Sequence, residues 1–221
     1  MCIRDREYFI EWVRRALERW DSAEGRLMRE ESGLTVDRRP DLSGLRFVQI
    51  DEFYPIDPRQ HNSFYNYVQK YYVGGFGLDP KRGQFINCDE IPLPGGRRFT
   101  EVFADGAVDL GLRYREPKSR SEELQQQSIF MIDDWCAAYE QRIRDMGGIG
   151  FFLGGIGPDG HIAFNTRGSD PHSTTRLTHT NFETQAAAAG DLGGIEVSRT
   201  KPVITIGLDT ITYNKDCVAI I

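Results

Sequence analysis

An aspartate and a histidine in one glycine-rich turn, Asp159 and His161, are the residues of this chain best placed to do chemistry. The turn follows a short apolar run that begins at Phe151. A carboxylate can orient an imidazole, and an imidazole titrates near neutral pH, so the pair suits general acid–base catalysis. The residue types alone leave a second interpretation open, in which Asp159 caps a helix and His161 packs in the core.

A second acidic site follows another apolar run, residues 45–50, after which Asp51 and Glu52 come next in sequence. Apolar runs that end in such positions are typical of buried parallel strands, whose carboxyl ends meet at one edge of an α/β sheet. Ligands of open α/β sheets bind at that edge. We therefore expect Asp51 to lie near the turn that carries Asp159, although the two sites are far apart in sequence.

Hydrophobic periodicity predicts the elements that carry these sites. Residues 7–31 repeat apolar side chains at helical spacing, and residues 64–72 predict a short aromatic helix. Ser119, followed three residues later by Glu122, forms a capping box that starts a long amphipathic helix. Besides the run at Phe151, short apolar runs predict strands at residues 45–50, 84–87, 203–206 and 217–221.

The order of these elements predicts the fold class. Strands alternate with helices, which favours an α/β protein with a doubly wound, mostly parallel sheet flanked by helices, Rossmann-like and truncated at both ends. Residues 1–6 resemble a translated adaptor sequence, so we expect them to be a non-native leader. We expect residues 7–221 to form a single, incomplete α/β domain. Residues 88–118, which are irregular and contain several prolines and glycines, are expected to form a surface excursion from it.

Composition narrows the classes of partner. The 221 residues carry 33 acidic and 27 basic side chains, and the net charge of −6 argues against binding to nucleic acid or to an anionic membrane. The four cysteines are widely spaced, without a cluster at zinc-ligand spacing, so we expect no metal site. No apolar run approaches the roughly 18 residues of a membrane span, and no secretory signal is visible. A cytoplasmic location is the resulting expectation.

The string from Gly154 to Asn165, Gly-Gly-Ile-Gly-Pro-Asp-Gly-His-Ile-Ala-Phe-Asn, resembles the signature of the glucosamine-6-phosphate deaminase/isomerase family. Three further segments are similar to that family in the same order along the chain, namely residues 49–54, 173–176 and 205–208. The resemblance extends over residues 7–221, with an enlarged insert at residues 88–118. Because several motifs occur in the right order, the resemblance is specific.

The resemblance implies an aldose–ketose isomerase that converts glucosamine 6-phosphate into fructose 6-phosphate and ammonia. Asp51 matches the family's enolisation base, which moves a proton from C2 toward C1. His161 matches the acid–base residue that opens the sugar ring, and Asp159 matches its carboxylate partner. By the same matching, the substrate-binding residues are Glu52, Gly157, Gly160, Asn165 and Arg176. The family implies no cofactor, a small sugar phosphate as partner, and a homo-oligomer for the full-length protein.

Three departures from the family pattern bear on activity. Thr166 stands where the family has a glutamate that completes the ring-opening group, so we expect a less basic His161 unless another acid substitutes. The family's glycine-rich phosphate loop is missing from the sequence, and Gly190 falls where the family has a second phosphate-contacting arginine. We therefore expect weak or absent activity from the 221 residues as they stand.

Two other functions stay open from the sequence. The first is a sugar-phosphate-binding regulatory module that has lost turnover. Thr166 favours this function, whereas the retention of Asp51, Asp159 and His161 opposes it. The second is a hydrolase of the sister branch, which acts on 6-phosphogluconolactone. That branch typically follows its Asp-Gly-His with a Ser-Leu-Phe-Pro type of string, which residues 162–165 do not match.

Overall fold

The computed structural model describes residues 3–220, with side-chain positions for residues 8–219. Backbone contacts divide the chain into two compact units. The first comprises Val48–Asn66 and the chain from Gln84 onwards, and the second comprises the chain up to Phe47 together with Tyr67–Gly83. Residues 1 and 2 of the predicted leader lie outside the described residues, and the single domain over residues 7–221 stays a prediction.

Helices and short strands alternate along the chain. The α-helices are α1 (Ile3–Glu18), α2 (Ala23–Glu31), α3 (Phe64–Tyr67), α4 (Gly74–Phe76), α5 (Phe99–Val102), α6 (Arg120–Asp145), α7 (Phe182–Leu192), α8 (Ile195–Thr200) and α9 (Leu208–Thr212). The strands are β1 (Phe47–Val48), β2 (Asp51–Phe53), β3 (Gly83–Gln84), β4 (Phe151–Leu153), β5 (Arg176–Thr178), β6 (Val203–Thr205) and β7 (Val218–Ile220). A π-helix spans Val68–Val73, and 3₁₀ turns span Pro80–Arg82, Cys88–Glu90, Pro94–Gly96 and Leu110–Arg113.

The strands of the first unit form two separate sheets. One has the order β2-β6-β5, and both of its pairs are antiparallel. The other is the parallel pair β4-β7. The predicted α/β class is confirmed, but among the described strands the pairing is mixed rather than mostly parallel. Hydrophobic runs mark where strands lie and give no information on their direction, which explains the difference.

Helix α6 organises the core of the first unit. Ser119 is its N-cap and accepts a hydrogen bond from the Glu122 N–H at 3.2 Å, as the capping box predicts. One face of the helix is buried, and its fully enclosed side chains include Ile129, Ile132 and Tyr139. Removal of such a cap costs about 1 kcal/mol of helix stability.

The irregular segment 88–118 contributes to this core, so the prediction of a surface excursion is wrong. It places a row of apolar side chains among the buried residues: Ile91, Leu93, Phe99, Val102, Phe103, Val108, Leu110 and Leu112. These residues recur at neither helical nor strand spacing, because short 3₁₀ turns and α5 present them one at a time. Periodicity therefore gave no sign of their burial.

In the second unit, the predicted helix over residues 7–31 is two helices. Ser22 caps α2, and its hydroxyl accepts a hydrogen bond from the Gly25 N–H at 3.0 Å. Trp20, at the break, donates from its indole to the Asp37 carbonyl at 3.0 Å and is covered by the Arg29 guanidinium.

Among residues 3–220, no helix combines the length and apolar character needed to cross a membrane.

Candidate active site

The three-stranded sheet places Asp51 opposite a residue that is tied to the glycine-rich turn. Asp51 is the first residue of β2 and lies directly opposite Thr205 on β6, which in turn lies opposite Arg176 on β5. Residues that are directly opposite in antiparallel strands project to the same face. Asp51 is only 7% exposed, so its carboxyl lies in a largely desolvated environment.

The glycine-rich turn between β4 and the buried segment at Phe164 is closed by its own backbone. The Gly157 N–H donates to the His161 carbonyl at 2.9 Å, and the Gly160 N–H donates to the Gly157 carbonyl at 3.0 Å. Gly160 has a φ of +85°, a left-handed conformation that glycine adopts without steric cost. This closure directs Asp159 and His161 to the same side of the turn.

Asp159 and His161 are in direct contact, as the sequence predicts. Asp159 Oδ1 forms a hydrogen bond with His161 Nδ1, while Asp159 Oδ2 accepts from the Asn181 side-chain amide at 2.5 Å. The Thr184 hydroxyl lies 3.3 Å from the same imidazole nitrogen. Both Asn181 and Thr184 come from the start of α7, where Asn181 is the N-cap. The helix therefore fixes both members of the pair.

The environment of Asp159 favours its ionised form. Burial raises the pKa of this carboxyl, but the hydrogen bonds from His161 and Asn181 more than offset that effect, so its pKa lies below the ordinary value. An ionised Asp159 holds a proton on His161 Nδ1, which leaves the other ring nitrogen to exchange protons. Asp159 is thus a carboxylate partner for the imidazole, although Thr166 stands where the family has a glutamate.

His161 packs in the core, as the second interpretation of the sequence expects, and its catalytic role stays a prediction. It is 5% exposed, and its ring stacks on Phe164 at 5.6 Å between centroids. Gly157 packs directly against the imidazole: a Cβ at Gly157 would lie 2.0 Å from His161 Cε1. Only glycine fits at that position, which gives Gly157 a packing role in the structure.

Two hydrogen-bonded links join this turn to β6 and to Ile206, the residue that follows it. The Phe164 N–H donates to the Thr205 hydroxyl at 3.0 Å. The Asn165 side-chain amide donates to the carbonyls of Ile206 and Ile162, each at 3.0 Å. Asn165 is 6% exposed, so the structure favours a turn-fixing role over the predicted contact with substrate.

Glu52 occupies a fully buried position next to Asp51. Its carboxylate accepts hydrogen bonds from the N–H groups of Phe53 and Phe64, each at 3.0 Å, from the Tyr65 N–H at 2.7 Å, and from the Ser63 hydroxyl at 2.8 Å. Burial raises the pKa of Glu52 to about 7, and the donated hydrogen bonds act in the opposite direction. With no exposed surface and four donors in place, Glu52 fixes Ser63 and the start of α3, and the predicted contact with substrate does not fit this environment.

Arg176 faces an open polar cavity of about 540 Å³. The cavity is lined by residues from one stretch of chain, Thr166, Arg167, Gly168, Ser169, Asp170, His172, Ser173, Thr174, Arg176 and Thr178. The Arg176 guanidinium makes two long hydrogen bonds, to the Thr174 carbonyl at 3.3 Å and the Ser169 hydroxyl at 3.4 Å. Burial lowers the pKa of Arg176. Asp51, Asp159 and His161 are absent from the walls of this cavity.

A buried glutamate that the sequence analysis missed holds the segment leading into β5. Glu140 of α6 is 5% exposed, and its Oε2 accepts hydrogen bonds from the Thr175 N–H at 3.1 Å, the Thr175 hydroxyl at 2.8 Å and the Thr210 hydroxyl at 2.7 Å. Arg144 forms a salt bridge with the other oxygen at 2.9 Å. A signal was present, since Glu140 falls on the buried stripe of α6 between Cys136 and Ile143.

Metal-ligating side chains are dispersed. Among the residues that the structure describes, no group of three or more His, Cys, Asp or Glu side chains is arranged to hold a metal ion. Cys88 and Cys136 are buried free thiols, and burial raises the pKa of each. They belong to the apolar core rather than to the candidate site.

Comparison with known proteins gives related sequences that are named glucosamine-6-phosphate deaminase or isomerase. Over 137 residues, the chain is 41% identical to a glucosamine-6-phosphate deaminase of Caenorhabditis elegans, which covers 62% of this chain and 51% of the relative. Over 90 residues, it is 42% identical to a glucosamine-6-phosphate isomerase of Candida albicans, which covers 41% of this chain and 36% of the relative. The resemblance to the glucosamine-6-phosphate deaminase/isomerase family is confirmed. No protein-family model matches the chain.

A solved structure from the deaminase superfamily is similar in fold. It is a monomeric glucosamine-6-phosphate deaminase, which superposes with a TM-score of 0.54 over 87% of this chain and 61% of its own, at 21% identity. At that identity the likeness concerns the fold alone. The chain spans about half the length of its deaminase relative from Caenorhabditis elegans and about a third of its isomerase relative from Candida albicans.

Proposed function

We propose that the protein is a glucosamine-6-phosphate deaminase, an aldose–ketose isomerase that converts glucosamine 6-phosphate and water into fructose 6-phosphate and ammonia. The contact between Asp159 and His161 in the family's signature turn is the observation that carries the proposal. It supplies a carboxylate-oriented imidazole in a desolvated site, as ring opening of an amino sugar requires. Asp51, on the strand paired with the one that anchors the turn, supplies a second carboxyl for the carbon acid.

The proposed reaction assigns one proton transfer to each group. The imidazole of His161 takes the proton from the O1 hydroxyl of the pyranose and returns it to the ring oxygen as the C1–O5 bond breaks. Asp51 then removes the proton from C2 of the open chain and returns it to C1, while a proton passes from the amino nitrogen to O1, which leaves an imine at C2. Water adds to C2 of the imine, the C2–N bond breaks as the C2–O double bond forms, and nitrogen leaves as ammonia. Asp159 stays ionised throughout and stabilises the imidazolium that forms transiently.

Arg176 supports recognition of an anionic group. Arg176 is half-buried. Among the described residues, it forms no salt bridge, that is, no contact within 4.0 Å between its guanidinium nitrogens and a carboxylate oxygen. A guanidinium suits phosphate because its planar donors match two phosphate oxygens. We propose that Arg176 binds the phosphate of the substrate or of another sugar phosphate in the adjoining cavity, and the assignment of Arg176, Gly157 and Gly160 to substrate binding stays a prediction.

Three wider features complete the proposal. We propose that the strands described here belong to a doubly wound, Rossmann-like sheet in the whole protein, as its relationship to the deaminases suggests. We propose a cytoplasmic location, because the composition and the buried free thiols suit a reducing compartment. The homo-oligomer stays a prediction, since the structurally similar deaminase is described as monomeric.

A product assay tests the function. The protein, in excess over glucosamine 6-phosphate, is incubated and the solution is followed by NMR for fructose 6-phosphate and by a coupled assay for ammonia. The proposal predicts equal amounts of both products, at a low rate for the 221 residues. Stabilisation by glucosamine 6-phosphate without either product supports the regulatory module, and hydrolysis of 6-phosphogluconolactone supports the hydrolase. The named relatives are deaminases and an isomerase, so neither alternative is favoured.

A further inference from the structure

The start of α3, which Glu52 fixes, carries an aromatic ring that belongs to the surroundings of His161. Phe64, the first residue of α3, packs its ring against Phe53 at 5.5 Å and against Phe164 at 6.2 Å between centroids. Phe164 stacks on the imidazole of His161, with the two planes inclined by 24°. A continuous row of rings therefore runs from the start of α3 to the imidazole.

This row has little freedom to absorb a displacement. Phe53 and Phe164 are buried, and Phe64 is partly buried against the same core. The imidazole also meets the backbone of Gly157, where even a methyl group would overlap it. Because protein interiors are close-packed, a shift of Phe64 must move Phe164 and the ring stacked on it.

We propose that Glu52 is a positioning residue for the reaction: its carboxyl group fixes Ser63 and the start of α3, and Phe64 and Phe164 pass that constraint to the His161 imidazole. Glu52 directly follows Asp51 on β2, so this strand carries the candidate base and also aligns the ring-opening residue. The kinetic part of the proposal rests on the proposed function. The effect on the orientation of the imidazole does not depend on turnover.

The chemistry of the position requires a carboxyl group, because each of its two oxygens keeps an acceptor lone pair even when one of them carries a proton. Four donors converge on the two oxygens of Glu52, three of them backbone N–H groups that cannot reverse their polarity. A glutamine amide offers one oxygen and one NH₂ group, and the NH₂ group would face at least one of these N–H donors. A buried donor without an acceptor is costly, so Ser63 and the start of α3 must shift.

Three variants probe the row at different points. Ser63→Ala removes one donor from the carboxylate, Phe64→Leu removes the ring and keeps an apolar side chain, and Glu52→Gln alters the carboxylate itself. Ser128→Ala is the matched control, because Ser128 is also fully buried and donates to a backbone carbonyl at 2.7 Å, but on α6. The imidazole signals of His161 are measured by NMR and assigned by their loss in His161→Gln. Steady-state kinetics are measured in parallel.

The proposal expects Ser63→Ala and Phe64→Leu to shift the His161 imidazole signals and to lower kcat by roughly tenfold at nearly constant KM, as small misplacements of catalytic groups do. Ser128→Ala should leave both unchanged. Unshifted His161 signals in Ser63→Ala and Phe64→Leu overturn the proposal, even if those variants are less stable. If the wild-type protein forms no fructose 6-phosphate, the proposed function fails, and the imidazole signals still decide whether Glu52 positions His161.

Discussion

The hydroxyl of Thr205 accepts a hydrogen bond from the Phe164 N–H at 3.0 Å, which joins the sheet to the end of the glycine-rich turn. Thr205 is fully buried and lies directly opposite Asp51. One threonine thus links the two parts of the candidate site, the carboxyl at the start of β2 and the Asp159–His161 pair. The chemistry proposed for these groups requires this link, because neither part contains all the groups.

Thr205→Val should loosen the turn. Valine keeps the shape of threonine but leaves the buried Phe164 N–H without its acceptor, which costs about 1–3 kcal/mol. We expect a lower free energy of unfolding by urea and a lower turnover of glucosamine 6-phosphate. Thr212→Val, at an exposed hydroxyl on α9, is the control and should change neither. Equal stability and turnover in the wild type and Thr205→Val would show that the link is unimportant.

The capping residue and the apolar runs of this sequence predicted where helices and strands lie more accurately than they predicted how the strands pair. Ser119 and Glu122 marked the start of α6, and apolar runs located β6 and β7 to within two residues. Strand β5 was missed because Arg176–Thr178 is short and has one apolar side chain. A three-residue strand owes its stability to its neighbours, which no local pattern records.

The site was predictable where one motif contains all its members. Asp159 and His161 are two residues apart, so their contact followed from the turn. The resemblance to the family assigned Glu52 and Asn165 to substrate binding, because both lie in motifs that also contain catalytic residues. Their hydrogen-bond partners come from residues 63–65 and from Ile206, which only the folded chain brings to them. A polar residue next to a catalytic one is therefore as suited to fix the site as to contact the substrate.

Asp159→Asn should impair the imidazole without displacing it. The amide cannot stabilise the imidazolium, so we expect turnover of glucosamine 6-phosphate to fall by about a hundredfold or more, in the range that general acid–base catalysis contributes. The control is Asp105→Asn, an aspartate that accepts a hydrogen bond from the Ala107 N–H in an exposed turn. The measurement is kcat under saturating substrate. A fall of less than about threefold would mean that Asp159 does not assist the proton transfer.

Gly157→Ala and Gly190→Ala should have opposite effects on stability. At Gly157 the added methyl group overlaps the His161 ring, and overpacking of this kind costs about 1–3 kcal/mol. At Gly190, within α7, nothing lies within 4 Å of the added group, so alanine should stabilise the helix by about 0.5–1 kcal/mol. Urea unfolding measures both. A Gly157→Ala protein as stable as the wild type would contradict the close approach of backbone and imidazole.

The stability of the protein should depend on pH through Glu52. Burial raises the pKa of Glu52 from 4.5 to about 7, so the folded protein keeps a proton that the unfolded chain has released in this interval. The stabilisation is complete below pH 4.5 and is lost as the pH rises through 7, by about 3 kcal/mol in all. Urea unfolding of the wild type and Glu52→Gln between pH 4.5 and 8 measures it. The wild type should lose stability relative to the variant as the pH rises, and parallel curves would contradict the raised pKa.

The lowered pKa of Asp159 makes stability depend on pH in the opposite direction and over a different pH interval. Its contribution to stability is present above the pKa of the unfolded chain, near the ordinary value of 3.8, and is lost as the pH falls through the lower pKa of the folded protein. The two groups are therefore separable in one titration, since Asp159 acts at acidic pH and Glu52 between pH 4.5 and 7. Asp159→Asn should remove the acidic part alone.

The most direct test of the account is the rate at which Asp51→Asn forms fructose 6-phosphate from glucosamine 6-phosphate. The asparagine side chain keeps the size of the aspartate and loses the base. Asp57→Asn is the control, because Asp57 is ion-paired with Arg59 and lies outside the candidate site. If Asp51 is the enolisation base, its variant should form product at least about a hundredfold more slowly than Asp57→Asn, in line with the loss of a general base. Equal rates in the two variants would contradict the account.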